Sequence, residues 1–133
     1  MEHHFEAAVF LFQLLVIYQL KHYFADYPLQ IPYMLGKFKK TDWQWPLASH
    51  AGVHAALTFI ICVFYVSPLL AFAFALFDGL VHFVVDRVKA SPDLFGKYTP
   101  NQKIYWNVMG ADQLAHHLTH YIIIFGVFYY TFS

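Results

Sequence analysis

Three ionisable residues, Asp78, His82 and Asp86, lie four positions apart in an apolar run that begins near position 69. Residues four apart share one face of an α-helix, so the spacing predicts a single polar stripe on an otherwise apolar helix. A helix of this length can cross a bilayer, where an unmatched charge is costly and commonly marks a functional interior. Other parts of the chain must therefore supply partners for these three side chains.

The composition favours a membrane protein. Of the 133 residues, 59% are hydrophobic and only 12% are charged. Soluble domains average about 25% charged residues, so this chain has too few to cover a surface that faces water. A spanning helix needs about 20 residues, and the length suits one domain with a few such helices. A formal net charge of zero and the lack of a basic patch argue against a nucleic-acid partner.

The apolar segments predict an all-α fold: a polytopic membrane protein in which four transmembrane helices form an up-and-down bundle. Residues 1–133 form a single membrane domain, with helices at about 5–27, 47–66, 69–88 and 105–132. Pro28 and Pro32 end the first helix, because proline cannot donate a backbone hydrogen bond. Ser67-Pro68 predicts a very short turn, so the second and third helices form an antiparallel hairpin.

Lysine-bearing loops predict the orientation in the membrane. With four spans, the loops near residues 36–40 and 90–103 lie on one side, while both termini and the tight hairpin lie on the other. Cytoplasmic loops carry an excess of lysine and arginine, so the lysine side is predicted to be cytoplasmic and both termini non-cytoplasmic.

Every predicted helix carries a pair of ionisable residues four apart. Since consecutive helices alternate in direction, all four pairs fall at the lysine-side end of the bundle. At a rise of about 1.5 Å per residue, His54 and His82 each lie roughly 10 Å inside that boundary. Helical bundles build interior metal sites from such facing positions. The eight predicted metal ligands are His22, Asp26, His50, His54, His82, Asp86, Asp112 and His116.

Imidazole and carboxylate ligands suit zinc, and iron or manganese as alternatives. We predict one or two zinc ions, in a site that keeps a water whose pKa falls to about 7. Asp26, Asp86 and Asp112 are the candidates for moving the proton during catalysis. Gln30, Lys89 and Gln113 are expected to orient ligands or substrate, and Asp78 and His120 rank lower as ligands.

A single histidine in a bundle interior is more commonly a hydrogen-bonded core residue than a ligand. Four helices that each present an ionisable pair at one depth favour a metal site instead, because unmatched charge is costly in lipid.

The motifs resemble those of small integral-membrane proteins of bacteria and phages, described as domain of unknown function 3307. The resemblance covers nearly the whole chain and implies a bacterial inner membrane location. The family pattern is broadly similar to that of multi-span membrane proteins described as metal-dependent hydrolases. The residues that carry the resemblance are, in order, His22-x3-Asp26-x3-Gln30 with Lys37, His50-x3-His54, His82-x3-Asp86-x2-Lys89 and Asp112-Gln113-x2-His116.

The leading functional hypothesis is a zinc-dependent hydrolase that acts on a lipid-like or amphiphilic ester, phosphoester or amide at the cytoplasmic leaflet. Membrane lipid and a small amphiphilic substrate are then its partners, and a homo-oligomer is compatible with the sequence. A divalent metal carrier or channel is an alternative, although Gln13 is the only amide or charged side chain in segments 10–15, 60–66 and 122–128. A di-iron oxidase or hydroxylase and a non-catalytic metal-stapled membrane factor are further alternatives.

Overall fold

The computed structural model describes residues 2–133, with side chains from His4 onward, and contains no strand in that range. The predicted all-α class is confirmed. A short 3₁₀ helix, Pro32–Phe38, lies in the connection between the first two long helices. The long helices are α1 (Glu2–Asp26), α2 (Gln44–Cys62), α3 (Pro68–Ala90) and α4 (Lys103–Phe132).

The four long helices form a ring in which each packs mainly against the helices before and after it, and α4 closes against α1. The connection between α2 and α3 is short, and these two helices share the most extensive interface. Helix α2, which was predicted to continue to Val66, ends at Cys62. Ser67 caps α3 by accepting a hydrogen bond from the Leu70 amide at 3.3 Å, and Pro68 occupies the first turn, where a missing N–H costs nothing.

In the described part of the chain three helices, rather than the predicted four, are long and apolar enough to cross a membrane: His4–Asp26, Gln44–Cys62 and Pro68–Ala90. The prediction of α4 as a fourth span fails on this criterion. Its first half carries Lys103, Asp112 and two histidines, and a third histidine follows at position 120; these residues lower its mean hydropathy. The three apolar helices are consistent with a membrane protein.

Polar and apolar side chains are distributed inside out compared with a soluble protein. Phe12, Phe64 and Leu69 are among many large apolar side chains that are exposed, whereas His54 and Asp78 are fully buried. Soluble proteins seldom bury charged groups or expose broad apolar surfaces. This distribution suits a chain that is surrounded by hydrocarbon.

The two halves of the bundle differ in character. The half that holds the turn between α2 and α3 has an apolar core, and the half at the lysine-bearing connections holds the buried histidines and aspartates. Tyr18 lies at the junction, with its hydroxyl 3.3 Å from the Cys62 sulfur. The apolar core consists of Leu14, Tyr18, Cys62, Ala71, Ile123, Ile124 and Val127.

Arg87 of α3 holds the connection between α1 and α2 against the bundle. Its guanidinium carbon lies 3.8 Å from the centre of the Trp43 ring, within the range of a cation–π contact. The same group donates hydrogen bonds to the carbonyl oxygens of Lys37 and Lys39, both at 3.1 Å. These contacts fix the backbone at Lys37, and the side chain of Lys37 is buried.

Gly96 lies against the end of α3, and we expect Gly96→Ala to destabilise the protein. A Cβ at this position would lie 2.2 Å from the carbonyl oxygen of Ala90 and 2.9 Å from the carbonyl carbon of Ser91. Backbone atoms at a helix end cannot move aside as a flexible side chain can, so overpacking is expected to cost about 1–3 kcal/mol. Thermal unfolding in detergent measures this loss.

Gly52 provides the matched control. It lies within α2 and a Cβ there would meet nothing within 4 Å. Alanine is the better helix former by roughly 0.5–1 kcal/mol, so Gly52→Ala should hold or raise the melting temperature. Equal melting temperatures for Gly96→Ala and the wild type would contradict the close approach at Gly96.

Candidate metal centre

The eight predicted ligands lie in one connected cluster inside the bundle, with two contributed by each long helix. All are buried except Asp26, which is intermediate. They come together because each pair lies on the inward face of its helix and at the same end of the bundle. The cluster has a shallow layer around Asp26 and Asp86 and a deep layer around Asp78.

Asp26 is the first centre of the shallow layer. Its Oδ2 lies 3.1 Å from His22 Nε2, and its Oδ1 lies 3.0 Å from His54 Nε2 and 3.5 Å from His50 Nε2. One carboxylate from α1 therefore meets three imidazoles, which belong to α1 and α2.

Asp86 is the second centre of the shallow layer. Its Oδ1 lies 3.1 Å from His116 Nε2, and its Oδ2 lies 3.1 Å from His50 Nε2. Lys37 donates to Oδ2 at 2.9 Å, and Lys89 lies 3.7 Å from Oδ1. His50 stands between Asp86 and Asp26, and so joins the two carboxylates.

Asp112 completes the shallow layer. Its Oδ1 lies 3.3 Å from His116 Nε2. Its Oδ2 accepts hydrogen bonds from Lys89 at 2.8 Å and from Gln113 at 3.1 Å. The amide oxygen of Gln113 in turn faces His22 Nε2 at 3.0 Å. Lys89 and Gln113, which were predicted to orient ligands, both contact predicted ligands directly.

Gln30 lies one step farther from the predicted ligands. Its amide oxygen accepts a hydrogen bond from Lys37 at 3.0 Å, and Lys37 pairs with Asp86. Gln30 thus supports a residue that contacts a predicted ligand.

The deep layer is built on Asp78, which sequence reasoning ranked low. Its Oδ2 accepts hydrogen bonds from Lys21 and Thr58, both at 2.5 Å. Its Oδ1 lies 3.2 Å from His82 Nδ1 and 3.7 Å from His120 Nε2. His120, also ranked low, is fully buried beside Asp78.

Lys21 and Thr58 were not anticipated as members of the cluster. A signal for Lys21 was present in the sequence, because a lysine inside an apolar helix requires a buried counter-ion. Thr58 gave no comparable signal, since a lone threonine in a helix commonly bonds its own backbone.

The residues fit a metal ion best at His82. Its Nδ1 lies 3.0 Å from the carbonyl oxygen of Asp78, so a hydrogen bond there requires the proton to be on Nδ1. The lone pair is then on Nε2, which is buried and has no hydrogen-bond partner in the described part of the chain. Metal-binding histidines are typically oriented in this way, with the second nitrogen donating to a carbonyl or carboxylate.

His54 is oriented differently. Its Nδ1 lies 3.2 Å from the ammonium of Lys21, which can only donate. The hydrogen of a neutral His54 is then on Nε2, where it points at Asp26 Oδ1. In this arrangement His54 orients Asp26 and is not free to bind a metal through Nε2.

The cluster contains four groups of three side chains whose ligand atoms all lie within 4.8 Å of one another. Nitrogen and oxygen donors at such separations suit zinc, iron or manganese. The groups are His22, His54 and His82; Asp26, His50 and His54; Asp78, His82 and His120; and Asp86, Asp112 and His116.

A cavity of about 310 Å³ reaches the shallow layer from the lysine-bearing connections. Its remaining wall is mostly aromatic and aliphatic, with Tyr27, Phe38 and Tyr98 among the lining residues. The cluster is therefore accessible from one side to a molecule larger than water. The polar lining residues are Asp26, Gln30, Lys37, Asp86, Lys89 and Gln113.

Comparison with known proteins identifies a family but no activity. The model of a family described as "Protein of unknown function (DUF3307)" matches residues 10–133. No curated protein and no solved structure matches the chain. The resemblance seen in the sequence motifs is confirmed, and the geometry of the cluster is what remains to indicate a function.

Proposed function

The chain belongs to the family of unknown function DUF3307, and we propose that this member is an integral-membrane, metal-dependent hydrolase with an amphiphilic substrate. One observation carries this function. A buried cluster of imidazoles and carboxylates is drawn from all four long helices, and two of its carboxylates, Asp26 and Asp86, line a cavity with an aromatic wall. Ligand-binding sites commonly have this form, with a few polar groups at one end of an apolar cleft.

One or two zinc ions are the proposed cofactors, with iron or manganese as alternatives. A bound zinc ion would polarise the substrate and lower the pKa of a water to about 7. The absence of cysteine from the cluster favours a catalytic site over a closed structural one. His54 would act through Asp26. The proposed ligands are His22, Asp26, His50, His82, Asp86, Asp112 and His116.

Among the three candidate carboxylates, Asp26 is best placed to move a proton. Its side chain is 20% exposed and lines the cavity, whereas the side chains of Asp86 and Asp112 are each 2% exposed. Asp86 is also engaged by Lys37 and Lys89, which leaves it less free to exchange a proton. Asp26 would accept a proton from the attacking water and return it to the leaving group.

The wall of the cavity favours a phosphoester over a neutral ester or an amide. Lys37 and Lys89, which pair with Asp86 and Asp112, bring two ammonium groups to it, and Gln30 and Gln113 add two amides. Charged and amide donors of this kind suit the oxygens of a phosphate. The aromatic and aliphatic residues of the same cavity would contact the apolar part of the substrate.

All four long helices are proposed to lie in the bilayer of the bacterial inner membrane. Leu114, Leu118, Ile122 and Phe125 expose an apolar outer face on α4, while its histidines at positions 116 and 120 point inward. Mean hydropathy counts those inward groups, although lipid would not touch them. The lysine-bearing connections would then face the cytoplasm and both termini the opposite side.

Transport is a weaker alternative, because a carrier needs a polar path to the opposite face. In the described residues of the other half of the bundle, the core is formed by side chains such as Leu14, Ile123 and Val127. A purely structural role, in which the metal only holds the helices together, is also less well supported. Such a role would not need a cavity that reaches the metal ligands.

We expect purified protein loaded with zinc to hydrolyse a short-chain phospholipid or a chromogenic phosphodiester faster than the matching carboxylic ester. Asp26→Asn should lower kcat by roughly 10²–10⁴-fold, the usual contribution of a positioned proton-transfer group. Product release measured in detergent micelles, with and without a chelator, tests both statements.

Asp93→Asn is the control, because Asp93 is an exposed aspartate on the surface. It should turn over at the wild-type rate. A metal-loaded protein that hydrolyses neither substrate class with zinc, iron or manganese would contradict the enzyme and favour the structural alternative. Zinc uptake into proteoliposomes in the same preparation would favour the carrier.

A further inference from the structure

The ammonium of Lys21 lies where three acceptors of the deep layer converge. It is 2.5 Å from Asp78 Oδ2, 3.2 Å from His54 Nδ1 and 3.4 Å from His120 Nε2. An ammonium has three hydrogens to donate, so each of these three acceptor atoms can receive one hydrogen bond from Lys21. The residue is 5% exposed and its partners come from α2, α3 and α4. Carboxylate and imidazole around one cation is also the donor set of a zinc site.

The same layer has the side chains of a metal site. Asp78, His82 and His120 offer ligand atoms that all lie within 4.8 Å of one another, and each of these residues is fully buried. His82 Nε2 and His120 Nδ1 have no hydrogen-bond partner among residues 4–133. The deep layer therefore combines side chains that could bind a metal ion with the side-chain ammonium of Lys21.

We propose that Lys21 is the resident cation of the deep layer, and that it keeps a metal ion out of the site formed by Asp78, His82 and His120. One ammonium neutralises the one carboxylate of this layer. A divalent ion beside it would add uncompensated positive charge in a region of low dielectric, where like charges repel strongly. Metal would thus be confined to the shallow layer, a step that rests on the proposed function.

A second consequence is that Lys21 positions residues of the shallow layer. By donating to His54 Nδ1 it sets the tautomer that holds Asp26, and by pairing with the Asp78 carboxylate it maintains the side-chain contact of Asp78 with His82 Nδ1. Lys21 is therefore a positioning residue and touches no part of the proposed substrate cavity.

The test is the zinc content of the purified chain with Lys21→Ala, measured by mass spectrometry after removal of loose metal. We expect one more zinc ion per chain than in the wild type, because the deep layer then lacks its cation and has room for another. Adding His120→Ala to Lys21→Ala should remove the extra ion, because His120 belongs only to the deep-layer group of ligands. Lys40→Ala, which changes an exposed lysine paired with Asp93, should leave the content unchanged.

Stability gives an independent readout if Lys21→Ala is hard to isolate. The variant should melt at a lower temperature than the wild type in chelator and regain stability with zinc, whereas Lys21→Ala/Asp78→Ala should show no such additional gain. A folded Lys21→Ala with wild-type zinc content, or one that zinc cannot stabilise, would overturn the inference. A wild type without zinc would instead overturn the proposed function, and the extra ion in the variant would still support the deep site.

Discussion

Asp86→Ala is expected to destabilise the folded protein by about 3–5 kcal/mol, because it removes one partner of a buried ion pair and leaves the other uncompensated. Asp86 lies 2.9 Å from the Lys37 ammonium, and the two side chains are 2% and 5% exposed. His50 and His116 lose an acceptor in the same change. Chemical unfolding in detergent, followed by tryptophan fluorescence, measures the loss.

Asp93→Ala is a matched control for this change. Asp93 pairs with Lys40 at 3.0 Å, nearly the same distance, but the side chains of the pair are 72% and 62% exposed. Exposed ion pairs contribute only about 0–1 kcal/mol, so this variant should unfold close to the wild type. Similar losses in both variants would mean that burial does not govern the energy of the Asp86 pair.

Asp78→Asn should weaken zinc binding by about 10–100-fold, the usual effect of removing a group that orients a metal ligand. Asp78 contacts His82 through both its side chain and its carbonyl oxygen. Of these two contacts with His82 only the one to the side chain is changed, so the imidazole remains in place but is held less firmly. The buried Lys21 ammonium also loses the charge that neutralises it. Competition with a chromophoric chelator measures the affinity.

His117→Ala controls for loss of a nearby imidazole. His117 follows His116 in the chain, but its Nδ1 contacts Gln19 at 3.3 Å and it belongs to none of the four ligand groups. Its replacement should leave zinc affinity within experimental error. An unchanged affinity in Asp78→Asn would show that His82 needs no orienting group or is not a ligand.

Local spacing was sufficient to predict which side chains share a helix face. His22 and Asp26 lie 3.1 Å apart, and Asp112 and His116 lie 3.3 Å apart, as expected for positions one turn apart. Prolines and apolar runs likewise indicated the four long helices. Alternation of helix direction then placed the pairs at one end of the bundle, where the structure has them.

The spacing of residues along one helix does not predict which side chains pair with residues of another part of the chain. Lys21 and Asp78 are 57 positions apart, and Lys37 and Asp86 are 49 apart. Which lysine meets which aspartate depends on how each helix is rotated and how the first connection folds back. The sequence places Lys37 in a loop on the lysine side, and the hydrogen bond of Arg87 to the Lys37 carbonyl oxygen holds that loop against the bundle.

Helix α4 shows that mean hydropathy along the sequence is an incomplete guide to a membrane span. Its apolar length predicts a span, but α4 is not among the helices of the described residues that are long and apolar enough to cross a membrane. A linear average does not separate an inward polar face from an outward apolar one, and only the packed bundle reveals that His116 is buried while Phe125 is exposed.

The most direct test of the metal centre is elemental analysis of detergent-purified wild type and His82→Ala. His82 has the buried, unpartnered Nε2 on which the fit to a metal depends most. We expect about one or two ions per chain in the wild type, with loss or a clear reduction in the variant and wild-type content in His117→Ala. Wild-type protein that takes up no zinc, iron or manganese, or a His82→Ala protein with undiminished content, would contradict a metal centre at this site.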